Sequence, residues 1–371
     1  MSFARLLAMS RKEWTQLRRD PRSLLMAFVL PIFLILFFGY AISYDVKNIE
    51  LAVLDESQGN ASRALVDRFV SSGYFDIVAR PASRDEVDRL LEAGRVRLAL
   101  VIPPTFDRDL HRPDGAPVQI ILDGSDANTA TIAQNYAQAI VARYSIELVT
   151  RGRRFVPPVT AESRVWYNET LESRNMIVPG LVAVIMSIIA AMLTALTIAR
   201  EWERGTMEQL AATPVHRLEV VLGKLIPYIG IGLFDVALAI VAGLVIFGVP
   251  LRGNLLLLAG LTLLFLVGAL SFGMFISAAV KSQVLATQVA LQTTYLPALL
   301  LSGFLFSIST MPLVLQAVTY VVPARYYVTV TKGIFLKGVG VGVLWVDAVA
   351  MVIFATAGIS LAIRSFKKEL V

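Results

Sequence analysis

The chain has 371 residues, 56% hydrophobic and 17% charged, a balance outside the usual soluble range and that of an integral membrane protein. Its formal charge of +6 does not point to nucleic acid, because many of the basic residues stand beside apolar runs, as they do when they orient spans. The lack of cysteine excludes a disulfide framework, a thiolate metal site and a cysteine nucleophile, and both histidines, His111 and His216, lie outside the apolar runs, so no catalytic or metal site is expected.

At the start, Phe3, Leu6, Leu7, Trp14 and Leu17 keep a helical period while Arg5, Lys12, Glu13, Gln16 and Arg19 fill the other side. Residues 1–21 therefore read as an interfacial helix with its basic face toward lipid head groups. Asp20-Pro21 ends it, and Ser23 to Tyr44 carries no charge, enough at about 1.5 Å per residue to cross a core of roughly 30 Å. This first span, 22–44, has a cleaved signal peptide as its alternative, since Ala41-Ile-Ser43 fits a small-x-small site. The residues before it are too long and too patterned for a simple basic leader, which favours an uncleaved span. Arg5, Arg11, Lys12, Arg18, Arg19 and Arg22 put the N-terminus in the cytoplasm.

From 45 to 173 the composition is that of a soluble domain. Ile49–Leu54, Tyr74–Val78, Val96–Ile102 and Val118–Leu122 read as strands, with helical spacing at Ser62–Val70 and Ser83–Glu92 between them. A last helix, capped by Asp126, repeats Ile132, Tyr136, Ile140, Tyr144 and Leu148 every four residues. The order is β-α-β-α-β-β-α, an extracytoplasmic α/β domain. Asp123-Gly-Ser-Asp126 reads as a turn and cap, the alternative being an oxygen-ligand site whose regular spacing it lacks.

Trp166-Tyr167-Asn168 precedes the second span, 174–199, and Pro179-Gly180 falls near its outer end. A charged island, Ala199-Arg-Glu-Trp-Glu-Arg-Gly-Thr-Met-Glu-Gln-Leu-Ala-Ala-Thr-Pro-Val215, then forms a cytoplasmic loop, 200–217. Thr206 and Gln209 fit a capping box, Pro214 stops the helix after about two turns, and Met207, Leu210 and Ala211 share a face. This short helix reads either as a solvated interfacial turn or as a docking element. Spans at 218–248, 254–280 and 282–306 follow, with Lys281 as a cytoplasmic marker. Residues 282 to 324 hold no charge, too long for one crossing, so 307–340 is expected to form an outer re-entrant hairpin and loop. Arg325 with Tyr326 and Tyr327 reads as an interfacial anchor, the alternative being a substrate ligand, and a sixth span, 341–363, leads into a basic cytoplasmic tail, 364–371.

Glu201-x-Glu203-x-Gly205-Thr206-x-Glu208-x-Leu210 with Thr213-Pro214 resembles the first cytoplasmic loop of ABC-2 type transporter permeases. Trp166-Tyr167-Asn168, Pro179-Gly180, Leu301-Ser302-Gly303-Phe304, Met311-Pro312 and Pro323-Ala324-Arg325-Tyr326 are similar to landmarks of its bacterial drug-exporter-like branch. The resemblance implies a polytopic fold of the type V exporter kind, six transmembrane helices with the α/β domain inserted, in the bacterial inner membrane. It implies a separate ABC ATPase that holds ATP and Mg, a second permease as homodimer or heterodimer, and a periplasmic adaptor. No cofactor is expected on this chain, and Gly223-Lys224 lacks the first glycine of a phosphate loop.

The residues expected to couple to the ATPase are Glu201, Glu203, Gly205, Thr206, Met207, Glu208, Gln209 and Leu210. Asp235, Gln288, Gln292, Thr293 and Tyr295 are open to helix packing or to a translocation path. Ser302, Gly303, Phe304, Met311 and Pro312 are candidates for an outer gate. The function expected is export of hydrophobic or amphipathic compounds. The alternative is a membrane-anchored sensor or scaffold whose outer domain binds a ligand or partner, and an intramembrane enzyme lacks the Cys, His and metal-ligand clusters it would need.

Overall fold

A computed structural model describes residues 2–42, 48–110, 112, 115–150, 166–169 and 172–366. His111, the expected end of the first span at 43–44, Arg164-Val165 and the tail at 367–371 lie outside them. The chain divides into two compact units, Met1–Ser43 with Arg164–Val371, and Tyr44–Ser163.

The first unit opens with α1, Phe3–Arg18. Its expected apolar face is split: Met9, Glu13 and Leu17 are buried, whereas Phe3, Leu7 and Trp14 are exposed. A second helix, α2, runs through Pro21–Leu24, a π-helical turn Leu25–Val29 and Leu30–Ala41. The wide turn stands just before Pro31, whose missing N–H breaks the regular i to i−4 ladder.

The second unit is an α/β sandwich of β1 (Ile49–Asp55), α3 (Asn60–Ser71), β2 (Phe75–Ala79), α4 (Arg84–Glu92), β3 (Leu98–Ile102), α5 (Phe106–Asp109), β4 (Gln119–Leu122) and α6 (Ala127–Thr150). The sheet order is β2-β1-β3-β4, with β1 parallel to both neighbours and β4 antiparallel to β3. β3 is buried at every position because helices cover both faces: Leu98, Leu100 and Ile102 meet Leu65 and Phe69 of α3 and Ala133 and Ala137 of α6, while Ala99 and Val101 meet Val87 of α4. Asp126 accepts from the amides of Asn128 and Thr129 at 3.1 and 3.4 Å, satisfying free donors at the start of α6.

The first unit resumes with α7 (Ser173–Glu203), α8 (Thr206–Ala212), α9 (Arg217–Val245), α10 (Leu255–Val280), α11 (Gln283–Leu300), α12 (Leu313–Thr319), α13 (Pro323–Lys332) with a π turn Gly333–Lys337, and α14 (Val341–Ser365). Helix α7 is the hub. A Cβ on Gly273 of α10 would lie 2.3 Å from Thr194 Oγ1 and 2.5 Å from the Ala191 carbonyl, so these two backbones meet only because that residue is glycine. Ala191, Ala195 and Ala199 form a similar small-residue seam with Ala286 and Ala290 of α11.

Among the described residues, four helices are long and apolar enough to cross a membrane: α7, α9, α10 and α14. The expected six are therefore not all legible by length and composition. The apolar part of α2, Leu25–Ala41, falls short of the about 20 residues a span needs, and α11 is diluted by Gln283, Gln288, Gln292 and three threonines. The anchor expected of Arg325, Tyr326 and Tyr327 is also corrected at Tyr327. Tyr327 is fully buried, 2.8 Å from Thr262 Oγ1 and stacked 4.1 Å from Phe265, because α13 packs into the bundle and its phenol finds a partner there.

Candidate functional site

The last turn of α7 and the loop after it hold the charged island. Gly205 takes a left-handed conformation, φ +69°, which lets the chain reverse between α7 and α8. The expected capping box is absent: Gly205 is the residue before α8, and the Thr206 hydroxyl donates to the Glu201 carboxylate instead. The reason is burial, since Glu201 is 3% exposed and needs donors. A reciprocal box does form one helix later, where the His216 amide donates to Glu219 Oε2 at 3.0 Å; the Ser2 amide reaches Glu219 Oε1 at 2.6 Å.

Beneath this loop lies a buried ion network. Lys224 of α9, 1% exposed, stands 2.7 Å from Glu13 of α1 and 3.2 Å from Glu201 of α7. Lys12 adds a bond of 2.9 Å to Glu201, and the Tyr228 hydroxyl donates to Glu13 at 2.9 Å. The buried Lys224 is thus shared by both carboxylates, and the partly exposed Lys12 supplies the second positive charge at Glu201. Alongside, Arg200 pairs with Asp20 at 2.8 Å and donates to Ser23 Oγ at 3.2 Å, fastening the start of α2 to α7.

Met207 and Leu210 are buried against the chain's own core, so the expected apolar docking face of α8 is turned inward. What the loop presents is polar: Glu203, Arg204, Glu208 and Gln209 are exposed. Glu203 also accepts from the Gln283 amide at 2.7 Å and from its side chain, and Lys281 lies 4.2 Å over the Trp202 ring. The α10–α11 turn therefore meets the end of α7.

Residues 21–364 match the family of ABC-2 family transporter proteins. The chain belongs to that family. It is similar over its whole length to the probable multidrug ABC transporter permease YbhS of Escherichia coli K12, 38% identical over 372 residues, 100% of this chain and 98% of the relative. To YbhR of the same strain, also a probable multidrug ABC transporter permease, it is 31% identical over 99% of both chains, and to the inner membrane transport permease YhhJ 28% identical over 88% of this chain and 87% of that one.

In this permease the eight loop residues lie on one short stretch, but Asp235 and the α11 residues do not share a face. Asp235 is 1% exposed inside the bundle, and neither carboxylate oxygen has a hydrogen-bond partner among the described residues. Gln288, Gln292 and Thr293 are exposed on α11, with Tyr295 half-buried. Ser302 and Phe304 are buried, and the Gly303 carbonyl accepts from Lys332 at 3.1 Å, whereas Met311 and Pro312 open a separate turn before α12. Sequence reasoning passed over Glu13, Lys224 and Tyr228. The signal was a lone lysine at the head of an apolar helix and an acid among the bases of α1.

Proposed function

We propose that this permease exports hydrophobic or amphipathic compounds, drugs among them, driven by ATP hydrolysed on a separate ABC subunit that docks on the exposed face of α8. The names of the YbhS and YbhR relatives support the cargo class. The observation that carries the coupling reading is the bond from Thr206 to Glu201. Through it α8 is tied to the ion network that joins α1, α7 and α9, so displacement of the loop must move three helices. ATP and Mg belong to the partner; this chain supplies the lever.

Six spans remain the reading that best fits the connections. The start of α2, the end of α7, the α10–α11 turn and, through the cleft of Trp202, Lys281 and Phe366, the end of α14 gather at one end of the helical unit. Arg5, Arg11, Lys12, Arg18 and Arg19 precede α2, which makes that end cytoplasmic by the positive-inside rule, with both termini there. Segment 45–173, inserted between α2 and α7, is then extracytoplasmic and the natural seat of an adaptor, and the membrane is the bacterial inner one. The exposed stripe Phe3, Leu7 and Trp14 suits α1 to lipid. Exposed Gln288 and Gln292 would be costly against hydrocarbon, which favours a second permease, identical or related, across α11.

The test is charge reversal at Glu203 and Glu208 in the assembled complex. Glu203→Lys/Glu208→Lys is expected to lower ATPase co-purification or leave hydrolysis running without export, at unchanged permease level. Coupled export at the native rate would overturn the reading.

A further inference from the structure

Helices α7, α10, α11 and α14, with the turn joining α12 to α13, enclose a cavity of about 420 Å³. That volume falls in the range of about 300–1,000 Å³ typical of small-molecule sites. Phe265, Phe272, Ala298 and Phe354 build its walls, and among the described residues no charged one lines it. A charged compound would lose its hydration there without a partner, so the lining selects a neutral one.

Three hydroxyls line the cavity. Ser187 and Thr293 spend theirs on the carbonyls of Ala183 and Val289, both at 2.7 Å. The Thr294 hydroxyl is buried and has no partner among the described residues. A buried hydroxyl without a partner is unfavourable, and a ligand carrying one hydrogen-bonding group would relieve it.

The rim shows where such a ligand comes from. Val318, Val321, Ala357 and Leu361 line the cavity and are exposed at its mouth. They leave an apolar opening on the side of the helical unit, a route for solutes dissolved in hydrocarbon rather than in water.

We propose that this cavity binds a neutral apolar compound that fits about 420 Å³ and bears one hydrogen-bonding group, taken sideways from the bilayer and held at Thr294. That the compound is cargo rests on the exporter reading above; that it binds does not.

The complete transporter in lipid nanodiscs, without nucleotide, is irradiated with a long-chain alcohol carrying a diazirine, and labelled peptides are read by mass spectrometry. Label is expected on the α10 stretch 265–272 and the α11 stretch 293–298. It should fall at least about fivefold in Ala357→Trp, where the substitution sits on the exposed rim and leaves the core untouched. Thr294→Val should weaken labelling by the alcohol about three- to tenfold, the worth of one hydrogen bond, and spare labelling by a diazirine alkane of equal length. Label confined to other lipid-facing residues, or undiminished by Ala357→Trp, overturns the site. So does labelling of the same peptides by a phospholipid with the diazirine in its acyl chain that the alcohol cannot displace, and an equal loss of alkane and alcohol in Thr294→Val overturns the role of the hydroxyl. Because nucleotide is absent, a negative result leaves the coupling reading standing. A transporter that takes the label but fails to couple sinks only the coupling reading.

Discussion

Lys224 and Asp235 sit on the same helix with opposite circumstances. Lys224 has two carboxylate partners, Glu13 and Glu201, while Asp235 has none among the described residues. Lys224→Met leaves Glu201 with Lys12 and leaves Glu13 with the Tyr228 hydroxyl but no ammonium group, and loss of one partner from a buried ion pair costs about 3–5 kcal/mol. A lowered thermal midpoint of the purified permease is expected, largely restored by adding Glu13→Gln; no restoration would mean that the lysine acts through its packing alone. Asp235→Leu should do the reverse and raise the midpoint, since removing an unpartnered buried polar group recovers about 1–3 kcal/mol. If export drops while the midpoint rises, the carboxyl is retained for transport; an unchanged midpoint contradicts the stability argument.

At the scale of elements, α3 depends on a residue outside it. Gly59 before the helix offers no side chain, and the Asp107 carboxylate of α5 accepts instead from the Ala61 amide at 3.0 Å and the Ser57 hydroxyl at 2.7 Å. The Ser57 hydroxyl, aided by the Ala61 and Ser62 amides, holds the Asp107 carboxyl below its ordinary range. A group depressed in the folded state contributes stability above its unfolded value, about pH 4, and loses it as pH falls through the folded value. Hydrogen exchange of the 60–71 peptide in the intact chain should therefore be faster in Asp107→Asn at neutral pH. The difference should shrink below about pH 4, and a gap independent of pH would refute a charged cap. No local pattern announces this contact, because Asp107 and Ala61 are distant in sequence. The strands were more legible: continuous apolar runs such as Leu98–Ile102 are what a sheet covered on both faces requires.

For the whole molecule the exposed amides of α11 carry the question of assembly. Gln288→Leu/Gln292→Leu keeps the helix apolar and removes the groups proposed to meet a second permease or a polar path. A smaller particle by light scattering, or export reduced at least about tenfold, is expected, and native behaviour in both would leave α11 facing lipid. The spans themselves were only partly readable. Where a helix is uniformly apolar, as α7 and α10 are, composition announces it; where it borrows cover from neighbours, as α11 does at Ala286 and Ala290, polar residues appear that a hydropathy profile penalises.

By itself the sequence determined membrane residence, the four strands between 49 and 122 with the helices at 60–71, 84–92 and 127–150 but not the short α5 between β3 and β4, and the place of the loop helix at 206–212, while its motifs carried the resemblance to the family. All but the family resemblance follow from periodicity and composition, which act within a turn or two of the chain. Only the tertiary structure decided that Met207 and Leu210 face inward, that Thr206 serves Glu201 rather than an N-terminus, and that Glu13 and Lys224 meet across more than two hundred residues. Pairing of buried charge depends on which helices touch, and helix contact is set by small residues such as Gly273 whose partners no local pattern names.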